Sequence, residues 1–363
     1  MMNKKIAFFL AVAQSVLILF NLVVFALLVT FFPGLAAHQA ILLIILFLLA
    51  ISFLAFSILT FKMENKILRF GYILSSIWLV LSFYFVLGSL IALLIYLIYP
   101  ANLSYYGLAA AIVGLALTAY GLINARITRV IKISVRLPNL PSFWKGKTVV
   151  MVSDLHLGQV LRKGFAGKII KKINGLNPEI VFIPGDFFDG VHTKFEALAD
   201  EFKKINAPLG IYFCSGNHEM FAGYGQCEKA LKNAGIKILE NQKVELSGLQ
   251  IAGVAYNHDT IPGFPLILQN LNIDKNRAAI LLKHVPLQLK EVEEAGFSLA
   301  LCGHSHHGQI WPGRHITKRY FKGFDYGFKT FKNLKVYTSS GAGTWGPPLR
   351  VFTKSEIVKI IFE

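Results

Sequence analysis

The chain has 363 residues, 54% of them hydrophobic and only 16% charged, which is too apolar for an ordinary soluble protein, so part of it is expected in lipid. Lys and Arg number 37 against 20 Asp and Glu, and 32 of the bases with 19 of the acids fall from Arg126 onward. A basic soluble part invites a nucleic-acid reading, but beside a membrane the simpler one is attraction to anionic head groups or to a phosphorylated substrate.

Ile6 to Phe61 and Phe70 to Ala125 are runs of 56 residues each without an Asp, Glu, Lys or Arg. A helix crossing the bilayer needs about 20 residues. Each run therefore supplies two spans, broken at Phe32-Pro33-Gly34 and at Tyr99-Pro100-Ala101-Asn102, giving helices at about 6–32, 39–61, 70–99 and 105–124. The first is too long for a signal-peptide core and further spans follow it, so a retained anchor is expected. Lys4 and Lys5, then Lys62, Lys66 and Arg69, then Arg126, Arg129, Lys132 and Arg136 stand at the start, middle and end of the four spans, while the opposite turns hold no Lys or Arg. The positive-inside rule then predicts a multi-pass membrane protein with everything after residue 125 in the cytoplasm.

Residues 126–147 read as a half-exposed strand, with apolar positions alternating over 131–137, and a linker turned by Pro138 to Trp144. Strand-like runs follow at 149–152, 180–184, 210–215, 249–255, 279–284, 297–302, 334–339 and 356–362, alternating with helical stretches near 161–174, 194–205, 225–234 and 286–295. This predicts an α/β domain over 148–363 whose sheets are covered by helices. Cys214, Cys227 and Cys302 have no CxxC spacing and are an odd count, which fits buried reduced thiols better than a nucleophile or a disulfide.

Five apolar strands end in chemistry. Val149 to Val152 leads to Asp154 and His156, and a strand presents residues i and i+2 on one face, so the two side chains are expected to converge on one ion. Ile183-Pro184-Gly185-Asp186 with Asp189, Gly216-Asn217-His218-Glu219, Lys283-His284 and Gly303-His304-Ser305-His306 follow in the same way. Asp186 has two oxygens with which to bridge two ions, and the imidazoles of His304 and His306 are expected on a shared face.

The ordered set D-x-H, G-D-x-x-D, G-N-H-E, H, G-H-x-H resembles the calcineurin-like metallophosphoesterase superfamily across about 148–363. The resemblance implies a four-layer α/β/β/α sandwich and two divalent ions, Mn²⁺ preferred, with Fe or Zn²⁺ as alternatives. One ion would take Asp154, His156 and His306, the other Asn217, His284 and His304, with Asp186 between them. His218 would orient or protonate the ester, held by Asp189. The segments Gly308-Gln309-Ile310 and Ser340 to Gly346 through Arg350 look like the membrane-associated bacterial branch, which includes phosphodiesterases and UDP-2,3-diacylglucosamine pyrophosphatases. That branch commonly has Gly where this chain has His307, which bears on substrate preference.

Arg162 and Lys163 are candidate contacts for a second phosphate, as is His307 for substrate; His192, His258 and His315 are read as loop residues, and Phe321 to Phe328 as an amphipathic insertion. The resemblance points to a membrane-anchored hydrolase of a phosphodiester or pyrophosphate bond in a lipid-linked or nucleotide-lipid substrate. A tethered general or nucleotide phosphodiesterase is the second reading. A transport or sensing protein with a metal-dependent regulatory module is the third, disfavoured because the spans lack the charges that transport pathways use. Nucleic acid is not expected as a partner, because no aromatic and basic strand platform for bases is evident.

Overall fold

The computed structural model describes residues 4–191, 193–258 and 261–363, so His192 lies outside the described residues, as does the side chain of His258. The chain forms two compact units, Met1–Ile123 with Gly346–Leu349, and Asn124–Trp345 with Arg350–Glu363.

In the first unit, helices α1 (Lys4–Phe31), α2 (Gln39–Lys62), α3 (Lys66–Ile98) and α4 (Leu103–Ala125) are each long and apolar enough to cross a membrane. The third starts four residues before its expected position, because Asn65 caps it by accepting a hydrogen bond from Ile67 N (2.7 Å). Where lipid is as apolar as the side chains, helices associate through close packing and polar contacts. Gly107 lies so close to Phe31 that a Cβ there would overlap its ring, and Trp78 Nε1 donates to Asn21 Oδ1 at 3.2 Å.

The second unit contains β1 (Thr128–Val135), β2 (Thr148–Met151), β3 (Ile180–Pro184), β4 (Ile211–Cys214), β5 (Lys237–Ile238), β6 (Gln242–Leu246), β7 (Leu249–Gly253), β8 (Ala279–Leu282), β9 (Leu299–Cys302), β10 (Gly327–Phe331), β11 (Leu334–Thr338) and β12 (Ser355–Phe362). They make two six-stranded sheets, ordered β1-β12-β2-β3-β4-β5 and β10-β11-β9-β8-β7-β6. Strands β2, β3, β4 and β5 run parallel, as do β7, β8, β9 and β11, with antiparallel pairs at β12-β2, β6-β7 and β10-β11.

Alternation along the strands builds the layers. Val149 and Met151 face Ile251, Ile280, Leu282 and Leu301 in the core between the sheets. Val150 and Val152 point the other way, onto Ala166, Ile169, Ile170 and Ile173, the i, i+3, i+4, i+7 face of the helix Lys163–Asn174. The second sheet is covered in turn by Phe264, Leu268, Leu289 and Val292. The result is the four-layer α/β/β/α sandwich.

Four details depart from expectation. The first strand begins at Thr128 rather than 131, held by eight register pairs with β12. Edge strands β6 and β10 carry mixed exposed and half-buried positions and lack the apolar run that marks a core strand. His315 sits on a helix, Gly313–Tyr320, not in a loop. Phe321 to Phe328 is a turn leading into β10, with Phe321 and Asp325 buried, so it packs into the domain.

Trp144 is fully buried at the end of the inter-sheet core, donates Nε1–H to Leu246 O at 3.1 Å and meets Phe362 edge-on. Trp144→Ala should cost about 3–5 kcal/mol and lower the melting temperature of detergent-solubilised protein by roughly 10 °C. A thermal unfolding curve that overlays the wild type would contradict the assignment of Trp144 to this core.

Candidate metal centre

The candidate residues all lie just past the C-terminal ends of β2, β3, β4, β8 and β9, the edge where open α/β sheets place their sites. None of them is in a strand. Asp154, His156, Asp186, His304 and His306 have φ between 47° and 71°, the left-handed region that L residues adopt at a cost. The i, i+2 expectation is therefore corrected: β2 stops at Met151 and β9 at Cys302, and tight turns rather than strand alternation aim the side chains. The correction matters most at His304 and His306, which face different partners.

His156 Nε2 and His306 Nε2 are 3.0 Å apart, with Asp154 Oδ1 3.5 Å from His306 Nε2. His304 Nδ1 lies 3.2 Å from His284 Nε2 and 3.0 Å from Asn217 Oδ1. Asp186 Oδ2 reaches both groups, 3.7 Å from His156 Nε2 and 3.1 Å from His284 Nε2. Its other oxygen, Oδ1, accepts the His218 backbone N–H at 2.9 Å. Asp186 Oδ2 is thus the oxygen placed to serve both groups, should two ions be held there.

These separations suit two divalent cations. Metal–ligand bonds of about 2.0–2.2 Å put neighbouring donors roughly 3.0–3.5 Å apart. Asp154, His156 and His306 form one cluster with donor atoms within 4.8 Å of one another, and Asp186, His284 and His304 a second. Asp154 Oδ2 is fully buried and makes no hydrogen bond, which a carboxylate tolerates only beside a compensating charge. Burial, reinforced by the charge of His218, holds His156 down at about 4; burial with His284 holds His304 at about 3, and His306 is also driven well below its ordinary value. Neutral imidazoles are what ligation requires, and His284 is the exception: burial pulls it down, but the charge and hydrogen bond of Asp186 outweigh this and raise it to about 10. Burial pushes Asp154 up to about 6, whereas Asp186 is held low against its own burial by the charge of His284.

His218 is of another kind. Burial pulls its pKa down, but the hydrogen bond from Nδ1 to Asp189 Oδ1 (3.0 Å) and the charges of Asp186 and Asp189 outweigh this and raise it to about 9. It is protonated at neutral pH and meets His156 edge-on at 4.5 Å between ring centres.

Glu219 had no assigned role in the sequence reading and turns out to be the clamp of the centre. Fully buried, it accepts hydrogen bonds from the backbone N–H groups of Asp186 (3.1 Å), Phe187 (2.8 Å), Phe188 (3.0 Å) and Gly216 (2.8 Å), tying the β3 turn to the β4 turn. Gly216 is required there, since a Cβ would overlap Asp186 Oδ1. Arg350, also fully buried, donates from Nη2 to the carbonyls of Ser340 (2.6 Å) and Gly343 (2.7 Å) and lies 3.2 Å from His306 Nδ1. The same glycine segment braces the β2 turn through Ala342 N to Ser153 O and Gly343 N to Asp154 O. Nothing in sequence distinguishes Arg350 from a surface arginine; the glycines around it were the available sign.

The candidate phosphate contacts divide. Lys163 pairs with Glu201 at 3.5 Å on the helical layer, and Arg162 is half-buried at the start of that helix, so neither joins the cluster of ligands. His307 stacks on Tyr326 at 4.2 Å with φ 51°, the conformation that suits a glycine at this position. Cys214, Cys227 and Cys302 are all buried and none is in a disulfide.

The model of the calcineurin-like phosphoesterase family matches residues 147–308. An uncharacterized metallophosphoesterase of Aquifex aeolicus is 30% identical over 252 residues, covering 68% of this chain and 96% of its own. The chain belongs to the calcineurin-like phosphoesterase family. An uncharacterized metallophosphoesterase of Campylobacter jejuni is 36% identical over 241 residues, 65% of this chain and 63% of that one. A transmembrane protein with metallophosphoesterase domain from Danio rerio is 27% identical over 278 residues, 70% of this chain and 62% of that one. The match thus spans less than two thirds of the Campylobacter and Danio relatives. Calcineurin-like phosphoesterases are metal-dependent phosphoester hydrolases with a dinuclear centre, and the Asp and His clusters here are placed to hold one.

Glu219→Gln would set an amide N–H₂ against backbone donors and free the Asp186 turn. Its Mn²⁺ affinity should fall by roughly 10–100-fold in a metal titration; wild-type affinity would show that the clamp does not govern the centre.

Proposed function

We propose that this calcineurin-like phosphoesterase hydrolyses a phosphodiester or pyrophosphate bond of a phosphorylated, lipid-linked or nucleotide-lipid substrate, from the cytoplasmic side of the inner membrane. What carries the reading is the convergence of Asp186 Oδ2 on nitrogens of both histidine groups, with a protonated His218 beside them. Asp154, His156 and His306 would hold one ion and Asn217, His284 and His304 the other, and two such ions, when bound, supply a nucleophile near neutral pH and neutralise charge on a phosphoryl group.

The protein's own groups do the rest. With Nδ1 engaged by Asp189, the Nε2 atom of His218 is the one left to donate a proton to the departing oxygen. Asp189 keeps the ring fixed and stabilises its charge, a carboxylate that burial opposes but the His218 hydrogen bond holds low. Proton transfer from a positioned histidine contributes about 10²–10⁴ in rate. No covalent enzyme intermediate is needed.

The amphiphilic substrate is supported by four helices of membrane-spanning length and by the basic balance after Arg126, which favours a polyanionic head group. The cytoplasmic orientation is supported by the three basic clusters at alternate ends of the helices.

Detergent-purified protein with Mn²⁺ should hydrolyse bis-p-nitrophenyl phosphate and, more efficiently, a UDP-diacylglucosamine-type lipid. His218→Ala should retain metal and lose turnover by roughly 10²-fold or more. A variant that turns over at the wild-type rate would remove His218 from the chemistry, and preference for the soluble diester, undiminished after deletion of residues 1–125, would favour a tethered general phosphodiesterase.

A further inference from the structure

Two aromatic side chains beside the centre are conspicuous for being left in solvent. Phe221 is 65% exposed and Trp345 58% exposed, yet both rings meet the His218 imidazole edge-on, at 5.9 Å and 6.3 Å between centres. Phe221 stands one helical turn after Asn217 on the short helix Asn217–Ala222, so the helix that supplies a ligand also supplies this wall.

Trp345 is held with more care than an exposed loop residue needs. Gln309, nearly buried in the turn that follows His306, donates Nε2–H to Trp345 O at 2.8 Å and accepts Trp345 N–H on Oε1 at 2.9 Å. Both ends of one side-chain amide are thus committed to the main chain of a single residue. The turn carrying Gln309 is itself fixed, its carbonyl accepting from Thr353 Oγ1 (2.7 Å) and Val351 N (3.1 Å). The main chain that carries the indole is therefore held to the same turn that carries His306.

An exposed indole on an anchored main chain and an exposed phenyl ring, both against the proton donor, are an arrangement for gripping something apolar next to the scissile phosphate. We infer that Phe221 and Trp345 form an apolar subsite beside His218 that binds the organic substituent of the phosphoester on its leaving-group side. The inference rests on the phosphoester reading of the centre. It adds that a bare phosphate or a small polar ester fills only the metal half of the site. Aromatic faces accept either a flat ring, as in a nucleobase or aryl group, or an alkyl chain. The shared chemistry is an apolar group within a few bonds of phosphorus.

Binding to the full-length, Mn²⁺-loaded protein in detergent, followed by calorimetry, separates these elements. Inorganic phosphate reports the metal half alone; methyl-, n-hexyl- and phenylphosphonate report the subsite. Phenyl- or hexylphosphonate should bind roughly tenfold tighter than methylphosphonate, on the scale of one or two aromatic contacts, and the tighter of the two identifies ring or chain as the natural substituent. The Phe221→Ala/Trp345→Ala variant should bring that ratio to about one and leave phosphate affinity unchanged, Trp345→Phe should retain most of it, and Gln309→Leu should lower it with both rings still present. Phosphate binding with no discrimination among the phosphonates in the wild type, or a ratio that survives the double substitution, overturns the subsite alone. Failure of phosphate itself to bind overturns the phosphoester reading and the subsite with it.

Discussion

One carboxylate oxygen, Asp186 Oδ2, lies between two sets of imidazoles, one drawn from both sheets and the other from the second sheet alone, and the rest of the unit is arranged to keep it there. Asp186 and His156 come from the first sheet's strand ends; His284, His304 and His306 come from the second. The centre exists only if the sheets face each other in the right register. The apolar layer between them, from Val149 and Met151 to Leu282 and Leu301, is the physical basis of that register. Burial that stabilises the sandwich also desolvates the ligands, and it is this desolvation that keeps His156, His304 and His306 neutral.

The charge arrangement is economical in space. Asp154, Asp186, Asp189 and Glu219 all follow strand ends; Asp154 and Asp186 face the His156/His306 and His284/His304 groups, while Asp189 sits with His218 and His156. Glu219 is turned into the backbone, where four amide donors offset its negative charge, although its burial and the neighbouring Asp186 still push its pKa up to about 7. Asp189 is turned onto His218. The same residue type thus serves as ligand, clamp and orienter according to which donors surround it.

Much of the centre was legible because its candidate ligands follow apolar core strands within two to five residues, in short runs such as Gly303-His304-Ser305-His306. The mode of convergence was not, since strand alternation predicts a shared face for His304 and His306 whereas left-handed turns send them to different clusters. Glu219 and Arg350 belong to motifs read in the sequence, but their roles were not legible because their partners are mostly backbone groups, which leave no complementary residue in the sequence. Edge strands β6 and β10 escaped because half-solvated strands need no apolar run. Lys163, a candidate phosphate contact from its position after His156, pairs with Glu201, an acid 38 residues away in the chain that no local pattern connects to it. In the helical unit, charge-free length was enough to anticipate four helices, while the early start of the third depended on the local cap at Asn65.

The central claim is that separate strand ends meet to hold a pair of cations, and metal stoichiometry tests it most directly. Protein purified in detergent, stripped with chelator and reloaded with Mn²⁺, should contain two ions per chain by elemental analysis. Asp186→Ala, which removes the carboxylate oxygen lying 3.7 Å from His156 Nε2 and 3.1 Å from His284 Nε2, should bring the content well below one. A wild-type chain that takes up no metal, or an Asp186→Ala variant that still holds two ions, would contradict the account.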